Sequence, residues 1–283
     1  MASFTNFATL SYNGGTTNSN IVTGEILEAL TAVKTAVSAN YSAGDRITYA
    51  LSLVNTGTTA ITGYTVTDDL GGYTVGANTV YPLAYNAGTV RYYINGVLQT
   101  APTVTAGPPL TVTGLTVPAG GSAVLIYETT ATPVAPLATG SSITNTATIT
   151  GGGLTNTITA QATVETANSA DLTISKALSP TTVTENGQIT YTFVISNTGN
   201  TEATAADNVV VTDTFDPILR NIAVTYNGTA WTEGTNYTYN TATGVFTTLA
   251  GQITVPAATF TQNTDGTFTV TPGTATLVIT GTV

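Results

Sequence analysis

The chain has 283 residues and a formal net charge of −10, with 42% hydrophobic residues and only 7% charged ones. It holds no His and no Cys, which excludes imidazole catalysis, thiol nucleophiles, disulfides and the usual zinc sites. Five scattered basic residues against fifteen acidic ones offer no phosphate-binding surface, so no nucleic-acid partner is expected.

In chain order, the first stretch is Phe4–Glu25, FTNFATLSYNGGTTNSNIVTGE. A related text closes a repeat deep inside the chain, ITNTATITGGGLTNTITAQATVE from Ile143 to Glu165. Residues 1–27 therefore read as a detached N-terminal hairpin. The opening MASFTNFATL lacks a basic segment followed by an apolar one, so no secretory leader is expected. No apolar run reaches the length of a membrane span, and no membrane insertion is expected.

Two copies of one β-domain follow, residues 28–166 and 167–283. LTAVKTAV from Leu30 matches LTISKALS from Leu172, and ITYALSL from Ile47 matches ITYTFVI from Ile189. The turns VNTGTT and SNTGN come next, then GYTVTDDL and NVVVTDTF. Tyr49 and Tyr191 lie 142 positions apart, as do Asn55 and Asn197, while Asp68 and Asp213 lie 145 apart. Short alternating stretches between Gly/Asn turns indicate strands at sandwich spacing. EILEALTAVKTAV has helix-favouring residues, but its match to LTISK assigns it to strand. YYINGVLQ and VTYNGTAW carry Asn-Gly turns suited to tight hairpins. TANSA, Thr166–Ala170, reads as a short linker. The expected fold is all-β: two tandem immunoglobulin-like β-sandwiches with an N-terminal donor hairpin.

The second copy ends at ATLVITGTV, the match of AVLIYETTA from Ala123. Nothing follows to match ITNTATI. A sandwich lacking its last strands exposes apolar core and open edges, which invites strand addition. The expectation is that a neighbouring subunit's N-terminal segment fills the gap, so the partner is the chain itself in a head-to-tail homopolymer. Insertion by a non-closing contact gives an open filament. The alternative is self-insertion within one chain.

Lys34 and Lys176 are the only lysines. Strand alternation places Lys34 with Leu30 and Ala32, and Lys176 with Leu172 and Ile174. Asp68 shares a face with Val66 and Leu70, Asp213 with Val211 and Phe215, Asn145 with Ile143 and Ala147, and Asn6 with Phe4 and Ala8. Polar groups aimed into one core are costly unless they meet. A buried Lys–Asp–Asn trio can react: a neutral amine attacks the carboxamide, the carboxyl moves protons, and ammonia leaves a Lys–Asn isopeptide bond. The expected crosslinks are Lys34–Asn145 within a chain, assisted by Asp68, and Lys176–Asn6 between chains, assisted by Asp213. The plainer alternatives are surface lysines, turn-capping aspartates and asparagines that satisfy backbone. Asp69 and Glu128 are rival carboxylates, although neither repeats in the second copy. No cofactor or metal is expected, and no catalytic triad, glycosidase pair or phosphate loop stands out. The chemistry is single-turnover, so the chain is not expected to be an enzyme. A Tyr-rich set, Tyr81, Tyr85, Tyr92 and Tyr93, leaves open a ligand platform.

The pattern LTISK … ITYTFVISNTG … VVVTDTF … ITNTATI resembles the DUF11 repeat domains of bacterial surface proteins across both copies. TNFATL is similar to that family's terminal NTAT strand. The Lys and Asn on first and last strands are similar to those of isopeptide-forming adhesin and pilin modules. A cysteine-free chain with two such repeats resembles the ribbon-appendage subunits of clostridial endospores. The resemblance implies extracellular, spore-surface or cell-surface display, with release from a mother cell accounting for the missing leader. The expected function is a structural filament subunit; the alternative is a monomeric adhesive module of a surface protein.

Overall fold

The sequence alternates apolar and polar side chains over long stretches, and a computed structural model turns these into strands. It describes residues 2–26 and 29–283. The boundary expected between residues 27 and 28 lies outside the described residues. Among those described, one short 3-10 turn, Ala205–Asp207, is the only helical segment. The stretch with mixed helix and strand signals forms the strand Leu30–Ala36. The chain divides into two compact units, Met1–Ala135 with Ser142–Glu165, and Pro136–Ser141 with Thr166–Val283.

The first unit is an immunoglobulin-like sandwich of two antiparallel sheets. In one sheet the lysine strand Leu30–Ala36 pairs with Arg46–Asn55, which pairs with Ser122–Ala131, which pairs with Arg91–Ile94. The other sheet centres on the aspartate strand Ile61–Asp68. It is flanked by Leu110–Val117 on one side and by the asparagine strand Ser142–Gly151 on the other. The closing strand Ile158–Thr166 pairs with the asparagine strand. Period-two alternation sends Ile47, Tyr49, Leu51 and Leu53 inward from one sheet and Tyr64, Val66, Ile143, Ala147, Ile149 and Val164 from the other, all buried. Each large apolar side chain so buried contributes about 1.5–3 kcal/mol.

The second unit repeats the first sheet. The lysine strand Leu172–Ser179 pairs with Gln188–Asn197, then come Gly273–Thr282, Arg220–Tyr226 and Thr229–Trp231. The register is the same: Lys34 and Ala36 lie opposite Leu51 and Tyr49, and Lys176 and Leu178 opposite Phe193 and Tyr191. Both Asn-Gly turns adopt left-handed backbone, Asn95 and Gly96 at φ 48° and 79°, Asn227 and Gly228 at 49° and 80°, as a tight hairpin requires.

The second sheet differs. It has three short strands, in the order Thr212–Thr214, Val245–Thr248, Tyr237–Asn240. The aspartate strand, central in the first unit, is an edge here. Its side away from Val245–Thr248 is unpaired among the described residues. Ile174, Leu178, Val183, Val210 and Ile218 are exposed around this unit.

Among the described residues, the N-terminal segment is a hairpin that pairs only with itself. Ala2–Asn6 pairs with Val22–Ile26, and Thr9–Tyr12 with Gly15–Asn18. Phe4, Phe7, Leu10, Tyr12, Ile21 and Val22 are each more than half exposed, at 53% to 66%. So many exposed apolar side chains on one short hairpin mark a contact surface.

The NTG turns rest on a buried asparagine in each unit. Asn55 Nδ2 donates to the carbonyls of Thr59 (2.8 Å) and Pro118 (3.0 Å), and its Oδ1 accepts from Gly57 N–H (2.9 Å). Asn197 repeats this with Thr201 (2.7 Å), Pro256 (3.0 Å) and Gly199 (2.9 Å). Removing either carboxamide strands buried backbone groups. Asn55→Ala and Asn197→Ala should each lower unfolding free energy by roughly 2–3 kcal/mol, read from urea denaturation midpoints. Unchanged midpoints would mean that water replaces the carboxamide.

Candidate functional site: two lysine–aspartate pairs

Lys34 leaves the edge strand of one sheet and Asp68 the end of a central strand of the other, so their contact crosses the sandwich. Lys34 Nζ donates to Asp68 Oδ2 at 2.6 Å, with side-chain exposures of 0% and 1%. The Tyr127 hydroxyl donates to the same oxygen, and Leu70 N–H donates to Oδ1 at 3.1 Å. The Tyr49 and Tyr127 ring centroids lie 4.9 and 5.9 Å from Nζ. These two tyrosines are direct cross-strand partners.

Asn145 completes the group. Ala147 lies opposite Asp68 in the ladder, so Asn145 projects from the same face of the neighbouring strand, and it is fully buried. Both polar atoms of its carboxamide lack a hydrogen bond, as does the Tyr49 hydroxyl. The Tyr49 and Tyr127 hydroxyls are close enough to interact with that carboxamide, but neither closes a bond of ordinary geometry on it. An unsatisfied buried amide costs about 1–3 kcal/mol.

Burial pushes the Lys34 ammonium below its usual pKa, against the opposing pull of Asp68. Burial and the neighbouring Asp68 carboxylate push the Tyr127 hydroxyl well up, and Tyr49 moves the same way for the same reasons. Burial thus shifts the lysine toward its neutral form and holds the phenols in their protonated form.

The second unit holds the same pair in the open. Lys176 Nζ donates to Asp213 Oδ2 at 2.5 Å, with side-chain exposures of 40% and 18%. The rings of Tyr191, Phe193 and Phe215 surround Nζ at 4.5, 5.4 and 5.6 Å. Asn6 is exposed on the hairpin. No buried trio therefore forms around Lys176 among the described residues.

The rival carboxylates point elsewhere. Asp69 Oδ1 accepts from Gly71 N–H (2.9 Å) and Thr146 N–H (2.8 Å), capping the turn and pinning the asparagine strand. Glu128 lies on the surface, 3.7 Å from Arg46. Of the tyrosine set, Tyr92 is buried with its hydroxyl bonded to the Thr116 backbone, and Tyr81, Tyr85 and Tyr93 are half-buried, so no exposed aromatic platform is formed. Sequence reasoning missed Tyr127. Alternation in AVLIYETTA places it inward with Leu125, and the second copy has Ile279 there. Among the described residues no metal-binding group of acidic side chains occurs and no helix is long and apolar enough to cross a membrane.

No family model matches the chain and no characterised protein matches it significantly. Solved structures give weak likenesses. The major pilin subunit BcpA of Bacillus cereus aligns at 14% identity over 96% of this chain and 73% of its own, with a TM-score of 0.40. The C-terminal fragment of the major pilin GBS80 of Streptococcus agalactiae aligns at 12% identity over 56% and 67%, TM-score 0.36. The pilus backbone RrgB of Streptococcus pneumoniae aligns at 12% over 86% and 55%, TM-score 0.35. Likenesses this weak decide nothing about fold or function.

The lysine makes stability pH-dependent when Asn145 is absent. A lysine whose pKa is lowered in the folded state binds more protons when unfolded, so stability rises with pH until the unfolded value of 10.5 is reached. The raised tyrosines oppose this only near and above their own unfolded value of 10.0. Asn145→Ala should therefore become more resistant to urea as pH rises from 7 to about 9.5. A flat profile over that window would mean that the lysine stays charged.

Proposed function

We propose that the chain is the structural subunit of a surface filament, joined head to tail by strand donation and locked by Lys–Asn isopeptide bonds. The observation that carries this reading is one pair in two states. Lys34–Asp68 is buried in the same core as Asn145, whose carboxamide closes no hydrogen bond of ordinary geometry, while Lys176–Asp213 sits open beside a strand edge unpaired among the described residues.

In the first unit the Lys34 ammonium passes its proton to Asp68, and the neutral Nζ attacks Asn145 Cγ. Asp68 returns that proton to Nδ2 as the Cγ–Nδ2 bond breaks, then takes the second proton from Nζ and hands it to the departing ammonia, which leaves as ammonium. One lysine amine and one carboxamide become one secondary amide and one ammonia. The new N–H donates to Asp68, and its carbonyl oxygen faces the tyrosine hydroxyls, which relieves the unsatisfied carboxamide. Confinement in a dry core supplies the rate.

In the second unit Lys176 waits. The hairpin of a neighbouring subunit adds beside Thr212–Thr214, covers Lys176, and brings Asn6 to it with Asp213 as the proton carrier. Each subunit then offers one hairpin and accepts one, and the contact repeats without closing. The likeness of the two repeats to DUF11 modules supports display outside the cell, and we place the filament on a spore or cell surface.

Boiling in detergent should leave a ladder, and peptide mass spectrometry should find Lys34–Asn145 and Lys176–Asn6 crosslinks, each short by one ammonia. Lys176→Ala should collapse the ladder to monomer while the Lys34–Asn145 peptide persists. Deleting residues 2–25 should abolish filaments. Filaments from that truncation would end the strand-donation reading; intact lysine peptides throughout would end the isopeptide reading.

A further inference from the structure

The hairpin is a register-exact counterpart of the strand pair that closes the first unit. Ser142 lies opposite Glu165, Ile143 opposite Val164, Thr144 opposite Thr163 and Asn145 opposite Ala162. In the hairpin, Ser3 lies opposite Glu25, Phe4 opposite Gly24, Thr5 opposite Thr23 and Asn6 opposite Val22. One pair differs sharply in size. Where the first unit has Ile143 beside Val164, both buried, the hairpin has Phe4 beside Gly24. The Phe4 ring covers Gly24 so closely that a β-carbon there would meet it at 2.4 Å. Two medium aliphatic side chains have become one large ring over an empty position.

The second unit has a place for that ring. A cleft of about 610 Å³ opens at the end of its lysine strand, lined among others by Leu178, Val183, Ile189, Tyr191, Asp216 and Pro217. The first unit shows what occupies this position. Ile143 packs against Gly71, whose counterpart by the aspartate offset is Asp216, a wall of the cleft. Ile189 and Tyr191 are the counterparts of Ile47 and Tyr49 in the first unit's core. Leu178 lies two residues beyond Lys176 on the same strand, just as Phe4 lies two residues from Asn6.

We propose that Phe4, laid over Gly24, is the key by which the hairpin of a second copy of this chain seats in the cleft at Leu178, Tyr191 and Pro217. This deepens strand donation and rests on that reading. Seating Phe4 fixes the register, because a one-residue slip would turn the whole strand over. In the correct register Asn6 takes, beside Asp213, the place that Asn145 holds beside Asp68 in the first unit, two residues from the partner of the aspartate in the ladder. The same bulk keeps the hairpin from displacing the first unit's own closing strands, since Ile143 already leaves no room for even a β-carbon at Gly71.

The test uses the full chain carrying Lys176→Ala, so that association stays reversible, followed by sedimentation velocity over a concentration series. Phe4→Ser should weaken self-association at least tenfold. Gly24→Val should weaken it as well, because the ring loses its seat. The exchanged pair Phe4→Ile with Gly24→Val, which rebuilds the first unit's packing, should restore most of what Phe4→Ser loses. Leu178→Trp, which fills the cleft, should weaken association with Phe4 intact. The assignment fails if Phe4→Ser associates like its parent, or if the exchanged pair does no better than Phe4→Ser. A parent that stays monomeric at every concentration, with its hairpin crosslinked within one chain in the Lys176 protein, overturns the second copy as occupant. Loss of assembly on deleting residues 2–25 together with normal assembly of Phe4→Ser would remove this assignment alone and leave strand donation standing.

Discussion

The structure turns on a lysine and an aspartate that meet across the middle of a sandwich. Taking two charges out of water costs several kcal/mol for each ion, and their attraction recovers this only with good geometry and further hydrogen bonds. Asp68 has those bonds, from Lys34, Leu70 and Tyr127. Asn145, beside them, has none. A core that spends polar groups in this way is poorly built for stability alone. The reaction proposed above would consume that amine and carboxamide and leave one amide with both ends satisfied.

The second unit carries the same lysine–aspartate pair in a more open setting. Registers, the buried NTG asparagine, the lysine and the aspartate all repeat. The difference lies in the second sheet, where the aspartate strand has one neighbour instead of two. The lysine side chain is 0% exposed in the first unit and 40% exposed in the second. In the open state Nζ has solvent on one side and three aromatic rings on the other. On the proposed reading, incoming strands would exclude that water, and strand addition and chemistry would then be coupled without any dedicated switch.

Much of this was legible in the residues. The repeat was plain from LTISK, ITYTFV, NTG and VTD, and polar residues interrupting apolar strand faces pointed to Lys34, Asp68 and Asn145 before any coordinates. Phase along the strand separated Asp68 from Asp69, and the structure puts Asp69 on backbone N–H groups. What could not be read depends on contacts between strands. Tyr127 is one inward tyrosine among many until its neighbour across the core is known. Phe4 over Gly24 is invisible without the hairpin's register, because the two residues are far apart in sequence and unremarkable singly. The shortness of the second unit's second sheet was equally hidden, since VVVTDTF has the composition of a full central strand while only Thr212–Thr214 is paired.

The position of the bonds also bears on load. Lys34 lies on the first strand of its sandwich and Asn145 on the last but one, so an amide between them would bridge nearly the whole sandwich. Tension entering near residue 34 would pass directly to residue 145, and the strands between would carry little of it. Hydrogen-bonded sheets unfold when their ladders shear or unzip; a covalent bridge across the sandwich removes that route. A link from Lys176 to a neighbour's Asn6 would continue the path from subunit to subunit through the first strand of one unit and the donated strand of the next. In a chain without a single cysteine, such links would give a fibre the covalent continuity that disulfides cannot supply.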